Sequence, residues 1–230
     1  YMPIAEYPAS DTFGEAFNRA LMASIDGSQI YDFYGPSARY VAARLRMVPR
    51  CPAVVRVGMI DPGLSSSIMR RAADREKWLS SSGLSLPKIE RQFRNELEMA
   101  IVSLFDFRTS CPIHIVYTND TVVYRMELTD DAVFFSWYHG PQSAGKEMPE
   151  AVQFGADALY YQVLRQEMTR RFEVSPRTVS FDSRDTDADL LSHLTELTGK
   201  SFTAADLTRM RAEYDTYGKG LRDFLQKLGY

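Results

Sequence analysis

Apolar residues recur along most of the chain at helical or extended spacing, and polar clusters separate these segments. Helical spacing behind capping residues predicts helices over residues 11–25, 37–47, 64–79, 87–105 and 155–172. Runs rich in β-branched and aromatic residues predict strands over residues 29–34, 53–60, 113–117, 122–128, 132–138 and 174–181. Two further helices, over residues 187–198 and 203–227, are predicted to close the chain.

The order of these elements predicts an α/β fold. The strands over 29–34 and 53–60 are joined by a helix and are therefore expected to be parallel. The three strands between 113 and 138 are separated by short polar turns, which favour antiparallel hairpins. We therefore predict a mixed sheet with helices on both faces and a C-terminal helical extension. The charged stretch 182–187 is a candidate linker, so the predicted units are 1–181 and 182–230.

Composition narrows the class of protein. Of the 230 residues 45% are hydrophobic, which is enough for a substantial core, and the net charge of −3 makes binding of nucleic acid unexpected. No apolar stretch reaches the length of a membrane span, and the first residues do not look like a secretory leader, so a cytoplasmic protein is expected. Cys51 and Cys111 lack a nearby histidine pair and are expected to be reduced, buried thiols without zinc.

Two predicted strand-to-helix turns, at 34–39 and 61–67, are candidates for binding an anion. Ligands gather at the carboxyl ends of parallel strands, and a helix start offers free N–H groups and a positive dipole end. Ser37 and Ser65 stand at such helix starts, and the planar fork of Arg39 suits a phosphate or carboxylate. Alternatively, both serines only cap helices and Asp61 only completes a turn. The chain has no glycine-rich phosphate loop.

The three histidines are the candidates for acid–base chemistry near neutral pH. His114 lies inside an apolar strand and is expected in the core, whereas His193 sits in a helix without an evident partner. His139 follows a strand and enters a loop, which is a better position for function. The acidic turn at Asp130 and Asp131 is more typical of a local cap than of a cation site, so no metal is predicted.

Arginine pairs occur on two predicted helices, at Arg70 and Arg71 and at Arg170 and Arg171. Arginine is suited to planar anions such as phosphate and carboxylate. A high arginine content can also reflect genomic base composition, so the pairs alone do not define a site.

Four segments together carry a family resemblance. They are the strand over 55–62, the helix over 90–104, the hairpin over 122–131 and the strand end at 136–138. The chain from Ile30 to Glu173 resembles the phospholipase D-like superfamily, and in particular a degenerate branch attached to bacterial helix-turn-helix regulators. The catalytic signature of that superfamily is HxKxxxxD.

None of the three histidines has the lysine of that signature two places later, since Val116, Pro141 and Thr195 stand there. The resemblance therefore implies a site-shaped cleft without its nucleophile, which suits sensing or scaffolding. It also implies a homodimer, because a single half of this kind usually has a twofold-related partner.

The leading hypothesis is a noncatalytic ligand-binding or regulatory domain that recognises a small anionic molecule, such as a phosphorylated metabolite, without a cofactor. The candidate ligand-binding residues are Tyr34, Gly35, Ser37, Arg39, Asp61, Ser65, Arg125, Tyr138 and His139. One alternative is an enzyme that uses His139 with Asp61 or Asp131 in phosphoryl-transfer or hydrolytic chemistry. Another is a protein–protein interaction module built on the leucine-rich last two helices, unless those leucines cover their own sheet.

Overall fold

The computed structural model describes residues 2–66, 69–73, 83–138 and 146–230. Its strands are β1 (Ala5–Tyr7), β2 (Ile30–Tyr34), β3 (Val54–Ile60), β4 (Ile113–Thr118), β5 (Tyr124–Leu128), β6 (Ala132–Trp137), β7 (Ala151–Gly155) and β8 (Arg177–Phe181). Its helices are α1 (Glu15–Ile25), α2 (Val41–Leu45), α3 (Leu86–Phe107), α4 (Leu159–Glu173), α5 (Asp187–Thr198) and α6 (Ala204–Lys227).

The strands form one mixed sheet in the order β1-β7-β6-β5-β2-β3-β4-β8. The central strands β2, β3 and β4 are parallel. The strands β5, β6, β7 and β1 continue the sheet on one side in antiparallel succession, and β8 lies antiparallel to β4 at the other edge. The predicted α/β class with a mixed sheet is confirmed.

Helices cover both faces of this sheet. On one face, Phe17 of α1 packs edge-on against Phe134 of β6, and Phe105 of α3 packs against Phe181 of β8. On the opposite face, α4 contacts β6 and β7, and the Arg56 guanidinium of β3 lies 5.1 Å from the Phe172 ring. Because side chains alternate along a strand, the polar residues of the central strands gather on the α4 face.

The two C-terminal helices pack onto the rest of the chain. Apolar side chains from both helices, namely Leu190, Leu194, Leu197, Leu207, Met210, Leu221 and Leu225, are buried in the same core as the central sheet. These leucines thus cover their own chain, so the interaction-module hypothesis loses the surface on which it rested. The candidate linker at 182–187 contains a hydrogen-bonded turn, in which Asp185 accepts from the Asp182 N–H at 2.7 Å.

Several helix and strand bounds differ from the sequence prediction. Helix α1 begins at Glu15 rather than at 11, and α2 is a single turn rather than a helix over 37–47. The strands β1 and β7 were not predicted, because segments of three and five residues give too little periodic signal. Of the predicted helix over 64–79, residues 69–73 are helical and much of the remainder lies outside the described residues.

The two cysteines are both free, but they differ in exposure. Cys111 is buried as predicted, and burial raises the pKa of its thiol to about 12. Cys51 is exposed, because it lies in the polar approach to β3 rather than in the strand itself. The expectation of a buried thiol was therefore wrong for Cys51.

Candidate functional site

A cleft of about 110 Å³ opens at the carboxyl ends of β2 and β4. This is the edge of the parallel strands where α/β folds place their ligands. Tyr34 enters it from β2, and Thr118 and Asn119 from the end of β4. Arg170 and Arg171 enter it from the last turn of α4. The cleft therefore lies between the carboxyl edge of the sheet and α4, which packs on the face opposite α1.

Arg171 is held in place by contacts with three groups. Its Nη1 donates a hydrogen bond to the Tyr34 hydroxyl at 3.0 Å, and its Nε donates to Glu167 Oε1 at 2.6 Å. Its guanidinium carbon lies 5.1 Å from the ring centroid of Tyr34 and 5.4 Å from that of Tyr124. These distances are typical of cation–π contacts. The guanidinium is thereby fixed beside the cleft.

Arg170 shares its carboxylate partner with Arg171. Its Nε and Nη2 donate to the two oxygens of Glu167 at 2.9 Å and 2.8 Å. The hydrogen bond from Arg170, followed by that from Arg171, lowers the pKa of Glu167, which therefore stays ionised near neutral pH. Two positive charges thus face one negative charge, and the Arg170 side chain is 57% exposed to solvent.

Gly58 allows Tyr34 to reach Arg171. Gly58 and Tyr34 are partners in the pairing of β2 with β3, and the Tyr34 ring lies across the Gly58 backbone. A Cβ at Gly58 would overlap this ring and would stand 3.0 Å from Phe172. The absence of a side chain here lets the ring lie flat beneath α4.

Asp61 holds the turn after β3 rather than the cleft. Its Oδ1 accepts from the Gly63 N–H at 2.7 Å, and its Oδ2 accepts from Arg177 at 3.3 Å. Arg177 also donates to the Leu197 carbonyl at the end of α5. Burial raises the pKa of Asp61, while the Gly63 N–H and Arg177 oppose that rise. Its contacts are those of the predicted turn-forming alternative.

The two predicted turns lie side by side, since the Ile60 N–H donates to the Pro36 carbonyl at 3.2 Å. The Gly35 N–H donates to the Gly58 carbonyl at 3.1 Å, so it completes the strand pairing. Arg39 donates to Glu96 of α3 at 2.6 Å. These two backbone groups and the Arg39 guanidinium are therefore engaged within the protein.

The two serines occupy different positions. Ser37 caps no helix, because α2 begins at Val41 with Tyr40 as its N-cap; this part of the prediction was wrong. The Ser65 carbonyl accepts from the Met69 N–H at 3.1 Å, which places Ser65 at the start of the next helical turn. Neither serine is among the residues that line the cleft.

Arg125 belongs to a buried network on the other face of the sheet. Its Nε lies 3.2 Å from Glu127 Oε1, and its Nη2 donates to Ser136 at 3.3 Å. The Tyr31 hydroxyl donates to Glu127 Oε2 at 2.5 Å. Because alternate strand residues face opposite sides, Tyr124 faces Arg171 on the α4 side and Arg125 reaches the core. Its side chain is only 6% exposed, so it serves this network.

Tyr138 follows β6 at the same edge of the sheet as the cleft but does not line it, and His139 lies outside the described residues. The Tyr138 N–H donates to the Val123 carbonyl at 3.2 Å, just before β5. Asp131 stands at the other end of β6, where its Oδ1 accepts from Ser24 at 2.6 Å. At about 3.4 Å per strand residue, the seven steps from Asp131 to Tyr138 span roughly 24 Å.

Because His139 lies outside the described residues, its pairing with Asp61 or with Asp131 stays a prediction. The acidic turn is hydrogen-bonded to the distant segment at the end of α1 and before β2, with Gln29 donating its N–H to Asp130 and Ser24 donating to Asp131. Within the described ranges there is no group of three His, Cys, Asp or Glu side chains arranged to hold a metal ion.

The other histidines have partners that the sequence did not reveal. His193 Nε2 lies 2.7 Å from the Tyr117 hydroxyl, and burial lowers the pKa of this histidine. His114 is half-buried and 2.7 Å from Ser180 Oγ, so its assignment to the core was wrong. Strand alternation turns it to the face opposite Ile113 and Ile115.

The residues that define the cleft were only partly visible in the sequence. Tyr34 was among the predicted ligand-binding residues, and the pair Arg170 and Arg171 was noted but not placed. Tyr124 and Glu167, which contact the cleft arginines without lining the cleft, were missed. The available signal was the arginine pair in the last turn of a helix, where basic residues also complement the helix dipole.

Neither a model of a known protein family nor a curated protein sequence matches this chain. The resemblance to the phospholipase D-like superfamily therefore stays a prediction. In the part of the chain that the structure describes, every helix is too short or too polar to cross a bilayer.

Proposed function

We propose that this chain is a noncatalytic ligand-binding or regulatory domain that recognises a small anionic molecule, such as a phosphorylated metabolite, at the carboxyl-edge cleft. The observation that carries the proposal is the pair Arg170 and Arg171, which line the cleft together and share one carboxylate. A ligand carboxylate or phosphate would supply a second negative charge to the two arginines, which share only the Glu167 carboxylate.

The chemistry of the cleft supports an anion over a cation. Arginine presents planar, permanently charged donors that match the oxygens of phosphate and carboxylate. Asn119 adds an amide at the same rim, while Asp120 is the acidic residue among the cleft-lining side chains. Charge complementarity therefore favours a ligand that contacts the arginine side of the cleft.

The size of the cleft indicates a small ligand or a terminal group of a larger one. Its volume of about 110 Å³ is well below the roughly 300–1,000 Å³ of pockets that enclose drug-sized molecules. A phosphate group entering between Arg170 and Asn119 would leave the rest of its molecule on the surface. The ligand-binding role also agrees with the degenerate cleft that the phospholipase D-like resemblance implies.

Thermal unfolding in the presence of inorganic phosphate tests the proposal. Binding to the native state raises the melting temperature, so the wild type should show a saturable rise. Arg171→Gln removes charge-assisted hydrogen bonds worth about 1.5–3 kcal/mol each, and the apparent affinity should fall about tenfold or more. Arg170→Gln, at a more exposed position, should give a loss without risk to the core.

Arg91→Gln is the matched control, because it removes an exposed arginine from α3. It should leave the phosphate response unchanged. An equal loss in all three variants would mean that phosphate responds to the overall charge of the protein, and the cleft proposal would fail.

A further inference from the structure

A row of aromatic side chains leads from the cleft across the sheet. This aromatic row consists of Tyr34, Tyr124, Phe135 and Trp137. Successive ring centroids are 6.0 Å, 5.4 Å and 4.6 Å apart. All four residues lie on the α4 face, because Tyr34, Tyr124 and the two β6 residues occupy matching positions of neighbouring strands.

Exposure rises along the aromatic row away from the cleft. Tyr34 is 2% exposed, Tyr124 and Phe135 are half-buried, and Trp137 is 55% exposed. A large indole left open beside half-buried rings is an apolar, planar surface that another ring can stack on. Among the residues that the structure describes, the row thus ends in an exposed platform at Trp137.

The platform and the arginines adjoin each other. Arg171 lies 5.4 Å from the Tyr124 ring, which is also in contact with Phe135. Trp137 is the direct strand partner of Tyr124, so it lies one strand spacing, about 5 Å, beyond the residue that Arg171 contacts and roughly 10 Å from the guanidinium. A positive group and a stacking surface at this separation match a molecule that carries a phosphate at one end and a flat ring at the other.

We propose that the anionic ligand is a nucleotide, with its phosphate at Arg170 and Arg171 and its base stacked on the exposed ring of Trp137. This inference rests on the proposed anion site and adds the class of ligand. Stacking of a base on an aromatic side chain tolerates every base, because each has a π-face. We therefore expect the aromatic row to favour nucleotides over other phosphates without selecting strongly among bases.

Calorimetric titration with AMP, ribose 5-phosphate and adenosine tests the inference. The wild type should bind AMP about tenfold or more tightly than ribose 5-phosphate, given the usual magnitude of base stacking. Trp137→Ala should weaken AMP binding by a similar factor and leave ribose 5-phosphate binding unchanged. Trp137→Phe should restore most of the AMP affinity, and Tyr160→Ala, an exposed aromatic residue of α4, should have no effect.

The outcomes separate this inference from the proposed function. Equal affinities for AMP and ribose 5-phosphate, unaffected by Trp137→Ala, would overturn the nucleotide assignment while the anion site stands. Adenosine binding as tightly as AMP would contradict a phosphate contact at the arginines. Binding of none of the three compounds would overturn both proposals.

Discussion

At the scale of single residues, Gly63 controls how closely the turn after β3 approaches α5. A Cβ built on Gly63 would stand 1.8 Å from the backbone oxygen of Leu197, so the turn and the helix end could not keep their positions. The same turn is fixed by Asp61 and Arg177, which lie between the sheet edge and α5. The glycine thus allows a backbone contact that connects the C-terminal helices to the site edge.

Gly63→Ala should lower the free energy of unfolding by about 1–3 kcal/mol, the usual cost of forcing extra volume into a packed site. Urea unfolding followed by circular dichroism measures this difference. Gly220→Ala is the control, because Gly220 is exposed inside α6 and its Cβ would meet only ordinary contacts.

In a helix interior alanine is favoured over glycine by about 1 kcal/mol, so Gly220→Ala should stabilise the protein. If Gly63→Ala were also neutral or stabilising, the close packing of the turn against Leu197 would be wrong.

At the scale of elements, the last helix is strongly specified by its own sequence. Thr203 and Asp206 form a capping box at the start of α6, where the Thr203 Oγ1 accepts from the Asp206 N–H at 3.3 Å. A similar box at Thr186 and Asp189 begins α5. These local signals agree with the prediction of both C-terminal helices to within one residue of their observed bounds.

Thr203→Ala should therefore destabilise the protein by about 1 kcal/mol, through the loss of the cap. Chemical denaturation would show the loss as a lower midpoint with an unchanged slope. Thr208→Ala is the comparison, since Thr208 lies on the exposed side of the same helix and bonds only the Ala204 carbonyl. Equal effects of the two substitutions would show that the capping box contributes nothing.

The sequence predicts elements with long periodic patterns better than it predicts short ones. Helix α3 and the strands β2 to β6 follow from their apolar spacing, whereas β1 and β7 depend on pairing with each other and with β6. The sequence of a short strand does not show which strand it pairs with, because the hydrogen bonds that stabilise it come from distant segments.

The candidate site was predicted less well than the fold, because it too depends on contacts between segments that are distant in the sequence. The order of the predicted strands indicated which edge of the sheet would bind a ligand. Tyr34 was a candidate because it ends a strand at that edge. Arg171 became part of the site only because α4 crosses the opposite face and ends beside Tyr34. Arg39 was a reasonable candidate by position, but α3 supplies Glu96 as its partner.

At the scale of the whole molecule, we propose that the protein forms a homodimer, as the phospholipase D-like resemblance implies. Twofold dimers are the commonest closed assemblies of soluble proteins. Light scattering over a range of concentrations should give about twice the chain mass of 26.2 kDa. A constant mass of one chain at every concentration would remove the dimer from the account.

The fold also determines the local positive charge at the proposed site. The net charge of −3 repels small anions at long range, so binding has to come from a local concentration of arginine. The cleft provides it by bringing the end of α4 to the carboxyl ends of β2 and β4. Binding should accordingly weaken with increasing salt, since these charges are partly exposed.

The most direct test of the anion site is NMR of the arginine Nε–H groups during a phosphate titration. The account predicts that the signals of Arg170 and Arg171 shift together and saturate, while those of Arg39 and Arg177, which serve internal ion pairs, change little. Saturable shifts at Arg39 with no change at Arg170 and Arg171 would place the anion elsewhere and contradict the central claim.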